Sequence, residues 1–198
     1  MKTNKEHSHI FFVLVPHGDV RLVLRKYSDS LFKNGFHGAY SFPWAAPLAA
    51  LSHPLSEDEL KYCARTLREA VINQNLSDEA AETQREGRGI FYADESSFTA
   101  FGDGLALFGP CLSGFPPPNS GIYGGITGKV TSFFSPPVIG TCLLPKGLPK
   151  GDCHSISPQI SFRAAAVANM FWRVNDQGGS FYSKWKIGKL HWLPAVKK

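Results

Sequence analysis

Residues 10–35 read IFFVLVPHGDVRLVLRKYSDSLFKNG, and a change of hydrophobic period inside this stretch decides the fold class. Ile10–Val15 is an unbroken apolar run, the pattern of a central strand covered on both faces. From residue 18 the period lengthens. Val20, Val23, Leu24, Tyr27 and Leu31 fall on one helical stripe, while Arg21, Arg25, Lys26 and Asp29 lie on the other side. Asp19 can cap the start of this helix, and Asn34-Gly35 supplies a left-handed stop. A strand runs straight into an amphipathic helix.

Downstream, His37–Leu51 is apolar but contains Pro43 and Pro47, each of which removes a backbone donor. A strand is expected over Tyr40–Trp44, followed by an irregular stretch. The second helix is signalled by Ser56 and Glu59, an S-x-x-E capping box that satisfies two orphan backbone donors. Its buried stripe is Leu60, Cys63, Ala64, Leu67 and Val71, and it ends near Asn73. These elements form an N-terminal lobe over about residues 10–73. Residues 73–88 are polar and without aromatics, a surface excursion with room for a short helix over Ser77–Arg85.

Short strands are then expected at Gly89–Tyr92, Ser97–Phe101 and Leu105–Phe108, with Gly102-Asp103-Gly104 as a hairpin turn. Residues 113–128 are crowded with Gly and Pro and read as a long loop. Strand character returns at Val138–Leu144, a second loop covers Pro145–Pro158, and Ile160–Trp172 with Tyr182–Leu193 make a closing hairpin. The C-terminal strands thus occupy about residues 89–193. The order βαβα followed by strands predicts one α+β domain spanning 1–198.

Fifteen Phe, six Tyr and four Trp cannot all be solvated, which excludes disorder for most of the chain. The net charge of +5 is partly terminal, because Lys2, Lys5, Lys197 and Lys198 supply four of the positive charges. It permits a basic groove without requiring one. The apolar run at 10–15 is too short for a secretory signal, and no window approaches the ~20 apolar residues of a membrane span. A cytoplasmic protein with no membrane partner is expected. The four cysteines form no CxxC pair, and Cys142 with Cys153-His154 matches no zinc spacing, so neither a metal nor a cofactor is expected.

Several apparent motifs fail on their chemistry. Gly124-Gly125-Ile126-Thr127-Gly128-Lys129 resembles a phosphate loop, but position 123 is Tyr and position 130 is Val, and no helix follows. There is no G-x-S-x-G elbow. Glu57-Asp58-Glu59 is helix-start charge and Asp94-Glu95 is turn chemistry. Of the seven histidines, His7 and His9 lie near the terminus and His53 precedes Pro54. His17, His37, His154 and His191 stand near element ends, and no two share a recognisable spacing.

Ser41-Phe42-Pro43-Trp44-Ala45-Ala46-Pro47-Leu48-Ala49 is echoed by Ser161-Phe162-Arg163-Ala164-Ala165-Ala166-Val167-Ala168-Asn169, with Ser, Phe and an Ala-Ala pair at equal offsets. Two such strand motifs, one after the first strand-helix unit and one near the C-terminus, resemble the 2H phosphoesterase superfamily, which includes LigT-like 2′-5′ RNA ligases and cyclic phosphodiesterases. That resemblance implies two lobes of antiparallel-rich sheet around a cleft, with the two main helices outside. It also implies one His-x-Thr/Ser motif from each lobe, one imidazole acting as base and its mate as acid. Neither window contains a histidine, and alanine transfers no proton. The implied function is therefore a degenerate domain that binds a nucleotide or RNA-like phosphate ligand in a central cleft. Arg163 and Arg173 would meet phosphate there, and Trp44, Trp172 and Tyr182 would stack on a base. Two alternatives remain: a phosphodiesterase using displaced histidines such as His37 and His154, and a protein-interaction module built on the Gly/Pro loops and exposed aromatics.

Overall fold

A computed structural model of the chain describes residues 5–74, 90–93, 96–100, 104–112, 115, 123–134, 137–140, 142–145, 160–176 and 181–194. The expected helix over Ser77–Arg85, the Gly102-Asp103 part of the hairpin turn, and Cys153-His154 lie outside the described residues.

The opening strand and helix appear as the hydrophobic period requires: β1 (Lys5–Pro16) and α1 (Gly18–Lys33). On β1, Phe12 and Leu14 face one core while Phe11, Val13 and Val15 face another, and all five are at most 4% exposed. An uninterrupted apolar run is the consequence of that two-sided burial. Helix α1 ends at Gly35, whose φ is +90°, with Phe36 N–H bonded to Leu31 O at 3.1 Å and Gly35 N–H to Phe32 O at 3.0 Å. This is a Schellman stop, and Phe36 packs beside Leu31 as such stops favour. The start differs from expectation. His17 is the N-cap residue and makes no side-chain cap bond, while Asp19 lies inside the first turn and accepts the Val20 N–H at 2.9 Å. Val23 is exposed, and the polar Ser28 is buried on the helix instead.

No strand forms over Tyr40–Trp44. Tyr40 has a φ of 74°, a left-handed conformation incompatible with a strand, and Pro43 follows it. The strand begins later, as β2 (Ala46–Leu51). Pro47 is accommodated because it sits where the β1–β2 register shifts, short of the β2 residues that pair with the next strand. Helix α2 (Glu57–Gln74) carries the expected capping box, with Ser56 N–H bonded to Glu59 Oε2 at 3.0 Å and Glu59 N–H to Ser56 Oγ at 3.3 Å.

Next come β3 (Ile90–Ala93), β4 (Ser96–Ala100), β5 (Leu105–Pro110), β6 (Val130–Phe133), β7 (Cys142–Pro145), β8 (Ile160–Asp176) and β9 (Phe181–Trp192). Every pairing is antiparallel, with one sheet ordered β3-β8-β1-β2-β6, β9 lying against β8, and a smaller sheet ordered β4-β5-β7. The three short strands do not form one meander, since β3 joins β8 and β4 joins β5. Strand β6 follows the Gly/Pro stretch without having been expected. Of the strand expected at Val138–Leu144 only Cys142 onward is laddered, and Val138 makes a single bridge to Cys111.

The result is an α+β fold in three layers. Val20 and Leu24 of α1 and Cys63, Leu67 and Val71 of α2 pack on one face of the large sheet. Phe42, Leu105, Leu107 and Leu143 pack on its other face. The two echo windows do not come one from each of two lobes. Residues 46–49 of the first lie on β2 and the second lies on β8, the two neighbours of β1, so that Leu14 stands opposite Ala46 on one side and Val167 on the other. Ala46, Leu48, Val167 and Ala168 are all core, and no cleft opens there. The alanines fill space between packed layers.

Two consequences can be measured. A Cβ on Gly38 would stand 1.7 Å from the Leu143 carbonyl oxygen, where the Leu143 N–H bonds Gly38 O at 3.1 Å, so Gly38→Ala should lower stability by about 1–3 kcal/mol in chemical denaturation. An unchanged midpoint would contradict this contact. The Glu59 carboxyl is pushed down from 4.5 to about 2 by hydrogen bonds from Lys129 and Ser56. Because its folded value lies below its unfolded one, its stabilisation is complete above pH 4.5 and disappears as pH falls toward 2. Stability curves of wild type and Glu59→Gln should therefore converge over that interval.

Candidate functional site

The strand pairing creates a groove where β2 leaves β1. Pairing of β1 with β2 stops at Phe11–Ala50, and the chain then turns away through Leu51–Pro54, while β1 continues to Lys5 against β8. The space left is a groove of about 780 Å³. Ser8 and Ile10 of β1, Phe171 and Arg173 of β8, and Lys184, Trp185 and Lys186 of β9 line it, opposite Ser52, His53, Thr131 and Ser132. The buried Phe11 and Trp172 also border it.

Register explains why this region is cationic. Phe171 stands opposite Lys186 and Ile10, and Arg173 opposite Lys184 and Ser8. Directly opposed residues share a face, so Arg173, Lys184 and Lys186 project together on the helix-bearing face. Helices α1 and α2 cover that face over the Ile160–Val167 end of β8, and beyond the buried Asn169 the side chains of Phe171 and Arg173 are exposed. Phe171 is 46% exposed and Tyr182 62%, with the Lys184 ammonium 6.0 Å from the Tyr182 ring centroid, while Trp185 stands opposite Trp172 and turns to the other face. Arg173 pairs with Glu6, Nε to Oε1 at 3.1 Å. Lys184 and Lys186 have no carboxylate partner among the described residues.

The residues expected to converge are divided. Arg163 and Arg173 lie at opposite ends of β8, ten residues and about 33 Å of extended strand apart. Arg173 and Trp172 border the groove, and Tyr182 stands beyond it on the same open face. Trp172 is 1% exposed, its Nε1–H donates to Ser41 O at 3.0 Å, and its ring packs edge-on to Phe42. It is a wall, not a stacking platform. Trp44 donates its Nε1–H to Ser28 Oγ at 3.0 Å and packs against the helical core.

Arg163 sits at the start of α1, where it ion-pairs with Asp19 and its Nη2 is 3.2 Å from His17 Nδ1. Asp19 also accepts from His17 Nδ1 at 2.7 Å. Burial raises the Asp19 carboxyl, but the bonds from His17 and the Val20 amide and the charge of Arg163 bring it below its ordinary value. The guanidinium is therefore already neutralised. His37 is exposed, edge-on to Phe32 at 6.0 Å, and does not line the groove; His154 lies outside the described residues.

Two imidazoles not singled out from spacing do border the groove. His9 stacks between Phe11 and Trp172, with ring centroids at 5.6 and 5.5 Å, and His53 Nδ1 is 2.8 Å from Ser52 Oγ. The cations missed by sequence reasoning, Lys184 and Lys186, had a signal: they are two residues apart in a strand, and period two places them on one face. A comparison with protein-family models finds no match, and comparisons with curated proteins and with solved structures find none either.

Proposed function

We propose that this chain binds a nucleotide or RNA-like phosphate ligand on the open face of its large sheet, without a 2H acid–base pair. The ligand lies across β1, β8 and β9 in the groove past the end of β2. What supports this is one juxtaposition: Arg173, Lys184 and Lys186 on a common face beside the exposed Phe171 and Tyr182. Cations attract the phosphates, and flat aromatic faces accept bases of any sequence. The hydroxyls of Ser8, Thr131 and Ser132 add neutral donors for phosphate oxygens. Glu6 is the single carboxylate paired to this set among the described residues, and it offsets only Arg173.

Fluorescence anisotropy with a labelled single-stranded RNA at two salt concentrations tests the proposal. Lys184→Glu with Lys186→Glu should weaken binding by about tenfold or more and flatten its salt dependence, while a surface reversal on α1 such as Arg21→Glu leaves both unchanged. Equal loss from both sites would mean that net charge alone drives binding, and the groove would be discarded as the site.

A hydrolytic function has one observation in its favour, the presence of both His9 and His53 at the groove. It requires turnover of a phosphodiester by the wild-type chain and at least a hundredfold (about 10²) loss in both His9→Ala and His53→Ala, as expected for general acid–base groups. Binding without any turnover excludes it.

A further inference from the structure

The cationic row on β9 does not end at the groove. Between Ala168–Leu190 and Met170–Ile187 the ladder slips, so that Gly188 and Lys189 together stand opposite Asn169. Such a bulge places two residues where one would fit and rotates the strand that follows. The position tolerates it because Gly188 has no side chain: a Cβ there would meet the Asn169 amide oxygen at 2.3 Å. Beyond the bulge His191 stands opposite Val167, which faces the helical core, so His191 and Lys189 point toward α2. On α2, Arg65 and Arg68 are one turn apart, and Arg68 Nε donates to the Trp192 carbonyl at 2.6 Å. The helix is thereby tied to the end of β9 with two guanidinium groups at the junction.

We infer that Arg65, Arg68, Lys189 and His191 form a second phosphate subsite, continuous with the groove along β9, so that the ligand is a single-stranded oligonucleotide rather than a mononucleotide. This rests on the binding function proposed above and extends it. Lys186 and His191 are five residues apart, about 17 Å of strand, too far for one nucleotide to bridge. None of the four cationic or imidazole groups has a carboxylate partner among the described residues. Their field is felt locally: burial, then Lys189, Arg65 and Arg68, hold the His191 imidazole below its ordinary pKa. A polyanion is favoured over an acidic peptide because exposed aromatic rings stand on the same face as the cations, at Phe171 and Tyr182.

The test is affinity against length, using oligouridylates of two, four and eight nucleotides with the full chain. Affinity should rise at least tenfold from dimer to octamer, and the salt dependence should steepen by about two logarithmic units per decade, from roughly three added phosphate contacts. Arg65→Glu with Lys189→Glu should abolish this gain and leave dimer binding unchanged; Arg68 is spared because it also holds β9. The His191 ring, followed by NMR, should titrate at higher pH with the octamer bound and at its unliganded value with the dimer. If dimer and octamer bind equally well, the second subsite is refuted while the groove stands. If no nucleotide of any length binds, the proposed function itself fails. Octamer binding matched by polyglutamate or by phosphatidylserine vesicles would overturn the assignment to nucleic acid.

Discussion

The fold hangs on the pairing of one strand. β8 runs through seventeen residues without interruption, and β1 follows it from Pro16 to Lys5 on one edge. On its other edge β3 pairs with Ile160–Arg163 and β9 from Ala166 to Asp176. Because most of the strand has a partner on each edge, the chain can be long and extended there without exposing an unpaired ladder. Length is what matters for function. The inner half of β8 is buried between helices and the second sheet, while the outer half projects past the helices and carries its neighbours' side chains into solvent.

That projection separates two kinds of surface on one strand. Around Val167 and Ala168, helices lie on one face and the small sheet on the other, so both faces need apolar side chains of modest size. Around Phe171 and Arg173 the helical cover has ended, and the exposed face can hold cations that would be prohibitively expensive to bury. Lys184, Lys186 and Lys189 of β9 and Arg65 and Arg68 of α2 then have no carboxylate partner among the described residues. Such an arrangement destabilises the folded state slightly by self-repulsion, and an anionic ligand relieves it.

How much of this was legible depended on whether the signal was local. The β1–α1 unit could be read because burial on both faces and a helical stripe each leave a period in the sequence. The Schellman stop at Asn34-Gly35 and the capping box at Ser56 and Glu59 were readable because each is completed by residues a few positions apart. The strand expected at Tyr40–Trp44 was misplaced because apolar composition does not report backbone handedness, and Tyr40 takes a positive φ. The candidate site was half legible. Arg173 and the aromatic character of the end strands were visible, whereas pairing Arg163 with Arg173 ignored that both lie on one extended element.

By itself the sequence determined the class of fold, the two helices with the stop of α1 and the start of α2, and the absence of imidazole from the echo windows, since all of these are properties of neighbouring residues. Tertiary structure decided which sheet each short strand joined, that the echo windows flank β1 within the core, and that Lys184, Lys186 and Arg173 share an uncovered face. Those outcomes depend on register and on where the helices stop. Both are set by contacts between residues distant in the chain, and no local pattern encodes them.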